Sequence, residues 1–171
     1  YNPQTVNLIA FGEQVFKNGS NSPLRRMVWG VFRHKETDKL FAVVNTHFSL
    51  SDSTFTDNTT PLTQALELIT LCKDLKNLFN CPVFALGDFN AHRTTKNTPS
   101  PIYDILVTAF RNTSTLAKTV SHGENTNKKT LFIDHIFSFG DVTVINHSTL
   151  SQNNFKKFSD HHPIFCDISI Q

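Results

Sequence analysis

Two runs of apolar, β-branched and aromatic residues, Met27 to His34 and Leu40 to His47, flank the polar stretch Lys35-Glu36-Thr37-Asp38-Lys39, the pattern of a β-hairpin. The second run ends in Asn45-Thr46-His47. After Pro61, apolar residues recur at helical spacing (Leu62, Ala65, Leu66, Leu68, Ile69, Leu71, Cys72, Leu75, Leu78) and predict an amphipathic helix of about 17 residues, with Pro82 ending any continuation. Val83-Phe84-Ala85-Leu86 is a short apolar run with polar residues directly after Gly87, as expected for a strand buried on both faces. A short helix is expected from Ile102 to Phe110, then strands from Leu131 to Phe139 and from Val142 to His147 that meet at Gly140-Asp141, and a closing strand from Pro163 to Ile170. Residues 49–61 and 92–101, rich in Ser, Thr, Asn, Asp and Pro, read as long surface loops. Strands and helices interleave with parallel and antiparallel connections, so the class is α/β or α+β with a mixed sheet.

Composition narrows this further. A chain of 171 residues with 39% hydrophobic and 18% charged residues suits one compact domain, residues 1–171, and excludes disordered and disulfide-dependent miniprotein classes. No apolar run approaches the roughly 18 residues of a membrane span. The net charge of +2 comes with basic residues scattered in pairs, Arg25-Arg26, Lys128-Lys129 and Lys156-Lys157, which read as solvated surface and not as a phosphate track. Cys72, Cys81 and Cys166 lack metal-ligand spacing and read as buried thiols with room for one disulfide. Sixteen Phe against 2 Tyr and 1 Trp point to a Phe-packed core.

Polar residues that a core would not select stand at four strand ends: Asn45 and His47; Asp88 and Asn90; Asp134 and His135; Asp160, His161 and His162. Singly, each has an ordinary explanation. His47 suits a hydrogen-bonded strand end, Asp88 and Asn90 an Asx-capped turn, and Asp160-His161-His162-Pro163 a loop with a rigid exit. Asp134, inside Leu131-Phe132-Ile133-Asp134-His135-Ile136-Phe137, needs a partner because an isolated carboxylate in an apolar strand loses its solvation. Phosphate-ester hydrolysis gives the four a common reason. It needs a hard cation held by oxygens, a group that orients or deprotonates water, and donors for the phosphoryl oxygens. Asp88, Asn90 and Asp160 offer the oxygens, His47 and His161 offer proton transfer and donors, and Asp134 would fix the tautomer of His161. Such a donor set favours Mg²⁺ or Mn²⁺ over Zn²⁺.

Asn45-Thr46-His47, Gly87-Asp88-Phe89-Asn90, Ile133-Asp134-His135-Ile136 and Ser159-Asp160-His161-His162-Pro163, in that order, resemble four motifs of the endonuclease/exonuclease/phosphatase superfamily, the group related to deoxyribonuclease I. The resemblance covers residues 24–171. It implies a four-layer sandwich, two mixed β-sheets face to face with helices outside, of which this chain holds the later part. It implies that Asp88 positions or activates the attacking water, that Asn90 contacts the phosphate and orders the site, and that His47 binds the scissile phosphate. His161, paired with Asp134, would be an acid/base or phosphate-stabilising group, and Asp160, with Asp88, would lie at the metal. His135 and His162 fall at variable positions and stay outside the expected site. The family's first strand, with its Asn, and its Gln-Glu element, whose Glu is a principal metal ligand, have no counterpart here, since Glu13 stands in the wrong context.

The expected activity is divalent-metal-dependent hydrolysis of a phosphate ester, with a DNA or RNA endonuclease as the second choice. Neither the Arg-x-Asp-Tyr element of abasic-site enzymes nor the Cys-Asp-Arg element of inositol 5-phosphatases is found where this chain has Phe132-Ile133-Asp134-His135. The rival from another class is an inactive binding domain that keeps the fold without the metal-binding Glu. The expected partner is the phosphate-ester substrate, with nucleic acid second.

Overall fold

The computed structural model describes residues 1–17, 25–50, 59–121, 132–150 and 158–170. Two mixed sheets carry the architecture. The larger contains β1 (Val6–Val15), β2 (Arg26–His34), β3 (Leu40–His47), β4 (Val83–Asp88), β5 (Arg111–Asn112) and β7 (Asp134–Phe139) in the order β1-β2-β3-β4-β7-β5. The smaller contains β6 (Thr119–Ser121), β8 (Val142–Thr149) and β9 (Ile164–Ile170) in the order β6-β8-β9. The helices are α1 (Thr59–Phe79), α2 (Pro101–Ala109) and the short α3 (Thr113–Leu116). Two mixed sheets flanked by helices are the α/β arrangement expected from the sequence.

The predicted hairpin forms as β2 and β3, antiparallel with Trp29 opposite Val44. The predicted helix forms as α1. β3 and β4 then run parallel, as the intervening helical crossover requires. The two strands expected to meet at Gly140-Asp141 do form, but they do not pair with each other: β7 lies beside β4 in the large sheet and β8 between β6 and β9 in the small one. Gly140, at φ 117, turns the chain out of one sheet into the other. A Gly-Asp break marks a change of direction without saying whether the flanking strands pair. Leu131, the expected start of β7, and the Lys128-Lys129 and Lys156-Lys157 pairs lie outside the described residues, as does most of the first expected loop. The three cysteines are free, so the optional disulfide is not formed.

One sheet face is covered by α1 and α2 and holds the core, including Met27, Val31, Ala42, Val44, Leu68, Val83, Ala85, Leu106 and Phe137. The Phe-rich composition becomes a chain of edge-to-face rings: Phe16 to Phe48 at 5.7 Å, Phe48 to Phe89 at 5.1 Å and Phe89 to Phe137 at 5.1 Å. Because side chains alternate along a strand, a buried Phe48 follows the exposed His47, and a buried Phe89 follows Asp88. The alternation thus anchors each strand end while presenting its polar neighbour. On the outer strands the opposite balance holds: Phe11 is 76% exposed and Val28 49%.

The tightest backbone approach lies at Gly87. It sits opposite Thr46 in the parallel β3–β4 pair with φ 137, and a Cβ there would stand 1.9 Å from the Thr46 carbonyl oxygen. Gly87→Ala is expected to cost about 3 kcal/mol or more, through backbone strain plus displacement of β3. Urea unfolding measures this, and a loss below about 0.5 kcal/mol, the range of neutral surface changes, would contradict it.

Candidate active site

Lateral register builds the site. His47 stands opposite Asp88 across β3–β4, and Asp88 opposite Asp134 across β4–β7, so three polar side chains from three adjacent strands share one sheet end. The fourth element, Ser159-Asp160-His161-His162, reaches over them. His161 Nδ1–H donates to Oδ2 of Asp134 at 2.8 Å, and His47 Nε2 lies 3.4 Å from Oδ2 of Asp88. One ligand atom each from Asp88, Asp134 and His161 lie within 4.8 Å of one another. Asp88 and Asp134 are 17% and 16% exposed, shielded enough for strong fields yet reachable from solvent.

Asn90 closes the turn after β4. Its backbone N–H donates to Oδ1 of Asp88 at 2.8 Å, its Nδ2 donates to the Phe48 carbonyl at 2.8 Å, and its φ is 49. The Asx turn and the site are therefore the same structure, since the bond that shapes the loop also aims the Asp88 carboxylate. The loop before β9 is held from its own side. His161 N–H donates to Ser159 Oγ at 3.0 Å and His162 Nδ1–H to the Leu150 carbonyl at 3.0 Å.

The two site histidines are pushed in opposite directions. Burial lowers His47 below its ordinary value; Asp88 works against this, while the Arg25 and His161 charges reinforce it. For His161, burial likewise opposes charge, but the hydrogen bond and charge of Asp134, helped by Asp88 and Asp160, outweigh it and hold the ring above 6.5. Near neutral pH His47 is thus neutral while His161 retains its proton more readily.

The structure brings His47, Asp88, Asn90, Asp134 and His161 together. Asp160 is exposed and stands outside the Asp88, Asp134 and His161 cluster, acting on it through charge. Glu13 lies on β1 in an exposed ion pair with Arg26 at 2.8 Å and is not part of the Asp88, Asp134 and His161 cluster. Arg25 was read from sequence as solvated surface, yet it is half-buried and its charge reaches His47. The signal for it was its place directly before β2, at the sheet end where β3 delivers His47.

The sequence matches no family model and no curated protein. Solved structures share the fold. An endonuclease/exonuclease/phosphatase protein of Bacteroides vulgatus superposes with a TM-score of 0.82 at 21% identity, covering 100% of this chain and 69% of its own. A mannosyl-6-phosphatase of Bacteroides thetaiotaomicron gives 0.80 at 19% identity, covering 99% and 69%. The human Nocturnin catalytic domain with bound sulfate gives 0.77 at 17%, covering 99% and 61%. The chain has the endonuclease/exonuclease/phosphatase fold, related to deoxyribonuclease I, and spans about two thirds of the length of these structures.

The His161–Asp134 pair has a direct test. The His161 charge is favoured in the folded state, so the stability it adds is present below about pH 6.5 and is lost as the pH rises through the raised value. NMR titration should place the His161 midpoint above 6.5 in the wild type and lower it in Asp134→Asn. Equal midpoints in the two proteins would remove Asp134 as the cause.

Proposed function

We propose that this chain carries the catalytic face of a divalent-metal-dependent phosphoester hydrolase. The observation that supports it most strongly is the convergence of Asp88, Asp134 and His161 within 4.8 Å on three separate segments of the chain. Two shielded carboxylates fit Mg²⁺ or Mn²⁺, which are bound through one or two carboxylates together with water and substrate phosphate oxygens. Asp88 and Asp134 would hold the ion, which would supply neutralisation of charge on the phosphoryl oxygens and a lowered pKa for a bound water. Asp160, exposed at the rim, is a weaker candidate than Asp134 for that coordination and adds negative potential.

The protein's own groups divide the remaining work. Asp88, aimed by the Asn90 N–H, orients the attacking water and accepts its proton. His161, whose hold on its proton Asp134 strengthens, donates to a phosphoryl or leaving oxygen. His47, neutral beside Asp88, contacts the scissile phosphate, and Asn90 orders the turn and lies within the same site. The substrate is a phosphomonoester or phosphodiester; a nucleic-acid backbone is the second choice because a net charge of +2 supplies little non-specific attraction to a polyanion.

The same reading makes residues 1–171 the later part of one longer domain. Its support is the solvent exposure of Phe11, 76%, and Val28, 49%, on the outer strands, together with the extra length of the structures that share the fold. The remaining segment would cover that face and add metal-binding oxygen ligands.

Two outcomes check this account. In the intact gene product, His161→Ala and Asp88→Asn should each lower Mg²⁺-dependent turnover of p-nitrophenyl phosphate or bis-p-nitrophenyl phosphate by about 10²–10⁴-fold with the fold retained, and EDTA should abolish it. Turnover that survives either substitution within about threefold would refute the assignment. Residues 1–171 alone should unfold at low denaturant and turn over far more slowly than the intact polypeptide; a chain of normal activity and cooperative unfolding would show the domain to be self-sufficient.

A further inference from the structure

His135 stands next to Asp134 but on the opposite face of the sheet, among the core rings: its ring centroid is 5.3 Å from Tyr103, 5.3 Å from Phe137 and 6.0 Å from Phe89. It is 3% exposed, and both ring nitrogens are committed. Nε2–H donates to the Ala91 carbonyl at 2.7 Å, and Nδ1 accepts from Asn112 Nδ2 at 3.2 Å. Asn112 Nδ2 also donates to the Tyr103 hydroxyl at 3.2 Å, while its Oδ1 accepts from Ser114 N–H at 3.0 Å and Ser114 Oγ at 2.8 Å. The network is saturated, as buried polar groups must be.

The position of Ala91 gives the network a function beyond packing. The β4–β7 ladder ends at Asp88 and Asp134, with one further backbone bond from Phe89 N–H to the Ile133 carbonyl at 3.0 Å. The chain then turns through Asn90 at φ 49, a left-handed conformation that a non-Gly residue adopts at a cost and only when its neighbours impose it. Ala91 is the next residue, and its carbonyl is drawn to His135. One end of this hydrogen bond belongs to the strand that carries Asp134, and the other to the turn that carries Asp88 and Asn90.

We propose that His135 is a positioning residue for the active site: by holding the Ala91 carbonyl it fixes the Asp88–Asn90 turn against the strand that bears Asp134. The ring touches neither substrate nor metal. It acts through Asn90, whose N–H and Nδ2 aim Asp88 and tie the turn to Phe48. This inference goes beyond the hydrolase reading in naming a residue on the core face, and it rests on that reading only where turnover is the readout.

Two conservative substitutions separate positioning from packing. In His135→Gln the amide Nε2 can still reach the Ala91 carbonyl; in His135→Asn the shorter amide keeps only the Asn112 side. Asn-selective labelling of the intact gene product reports the Asn90 ¹³Cα and ¹³Cβ shifts directly, without any need for activity. These should match the wild type in His135→Gln and move in His135→Asn. With p-nitrophenyl phosphate and Mg²⁺, kcat should fall about 10–100-fold in His135→Asn, recover most of that in His135→Gln, and leave KM within about twofold, as for outer-shell partners of catalytic groups. Unchanged Asn90 shifts in His135→Asn, or equal shifts and kcat in the two variants, overturn the proposal. Should one variant fail to fold, the other decides against the wild type: His135→Gln must keep the Asn90 shifts, or His135→Asn must lose them. A wild type that turns over no phosphate ester while the shifts behave as expected refutes the hydrolase reading and leaves the positioning role standing.

Discussion

The close approach of β3 and β4 at Thr46 and Gly87 sets the geometry on which the site depends. A side chain at position 87 would collide with the Thr46 carbonyl, so a residue without Cβ holds the two parallel strands in the register that places His47 opposite Asp88. The antiparallel β4–β7 ladder extends the same line to Asp134. Backbone hydrogen bonding between three strands thus does what long side chains could not do alone, which is to fix three polar groups relative to one another before any ligand arrives. Beneath them, Phe48, Phe89 and Phe137 pack edge to face and turn the strand ends into a rigid floor.

On that floor, environment pushes chemically similar groups in opposite directions. His47 and His161 are both imidazoles near carboxylates, yet burial and the nearby Arg25 charge push the His47 pKa down, while the bond and charge of Asp134 outweigh burial and push the His161 pKa up. The carboxylates divide as well. Asp88 is oriented by the Asn90 N–H, and Asp134 by the His161 ring.

Much of this was legible in the sequence because it rests on local patterns. The hairpin, the long helix and the Val83-Phe84-Ala85-Leu86 strand follow from periodicity, and the polar strand ends stood out because apolar runs of that kind do not choose carboxylates. What escaped has physical reasons. β1 was not anticipated because the run Leu8-Ile9-Ala10-Phe11 breaks the alternation, at the point where the strand register shifts. The separation of β7 from β8 is a tertiary fact that no turn signal records. Arg25 looked like half of a surface pair, and its partial burial is a tertiary fact that a pair of basic residues does not record. His135 resembled an incidental neighbour of Asp134 because alternation sends it to the other face, and its partners Ala91 and Asn112 are distant in sequence.

The central claim is that Asp88 and Asp134 form one metal-binding pair at the joined ends of β4 and β7. The most direct measurement is the anomalous difference density of crystals of the intact gene product soaked in Mn²⁺. The account predicts a peak within coordinating distance of both carboxylates. A fully occupied Mn²⁺ bound elsewhere in an active enzyme, with Asp88 and Asp134 free of it, would contradict the claim.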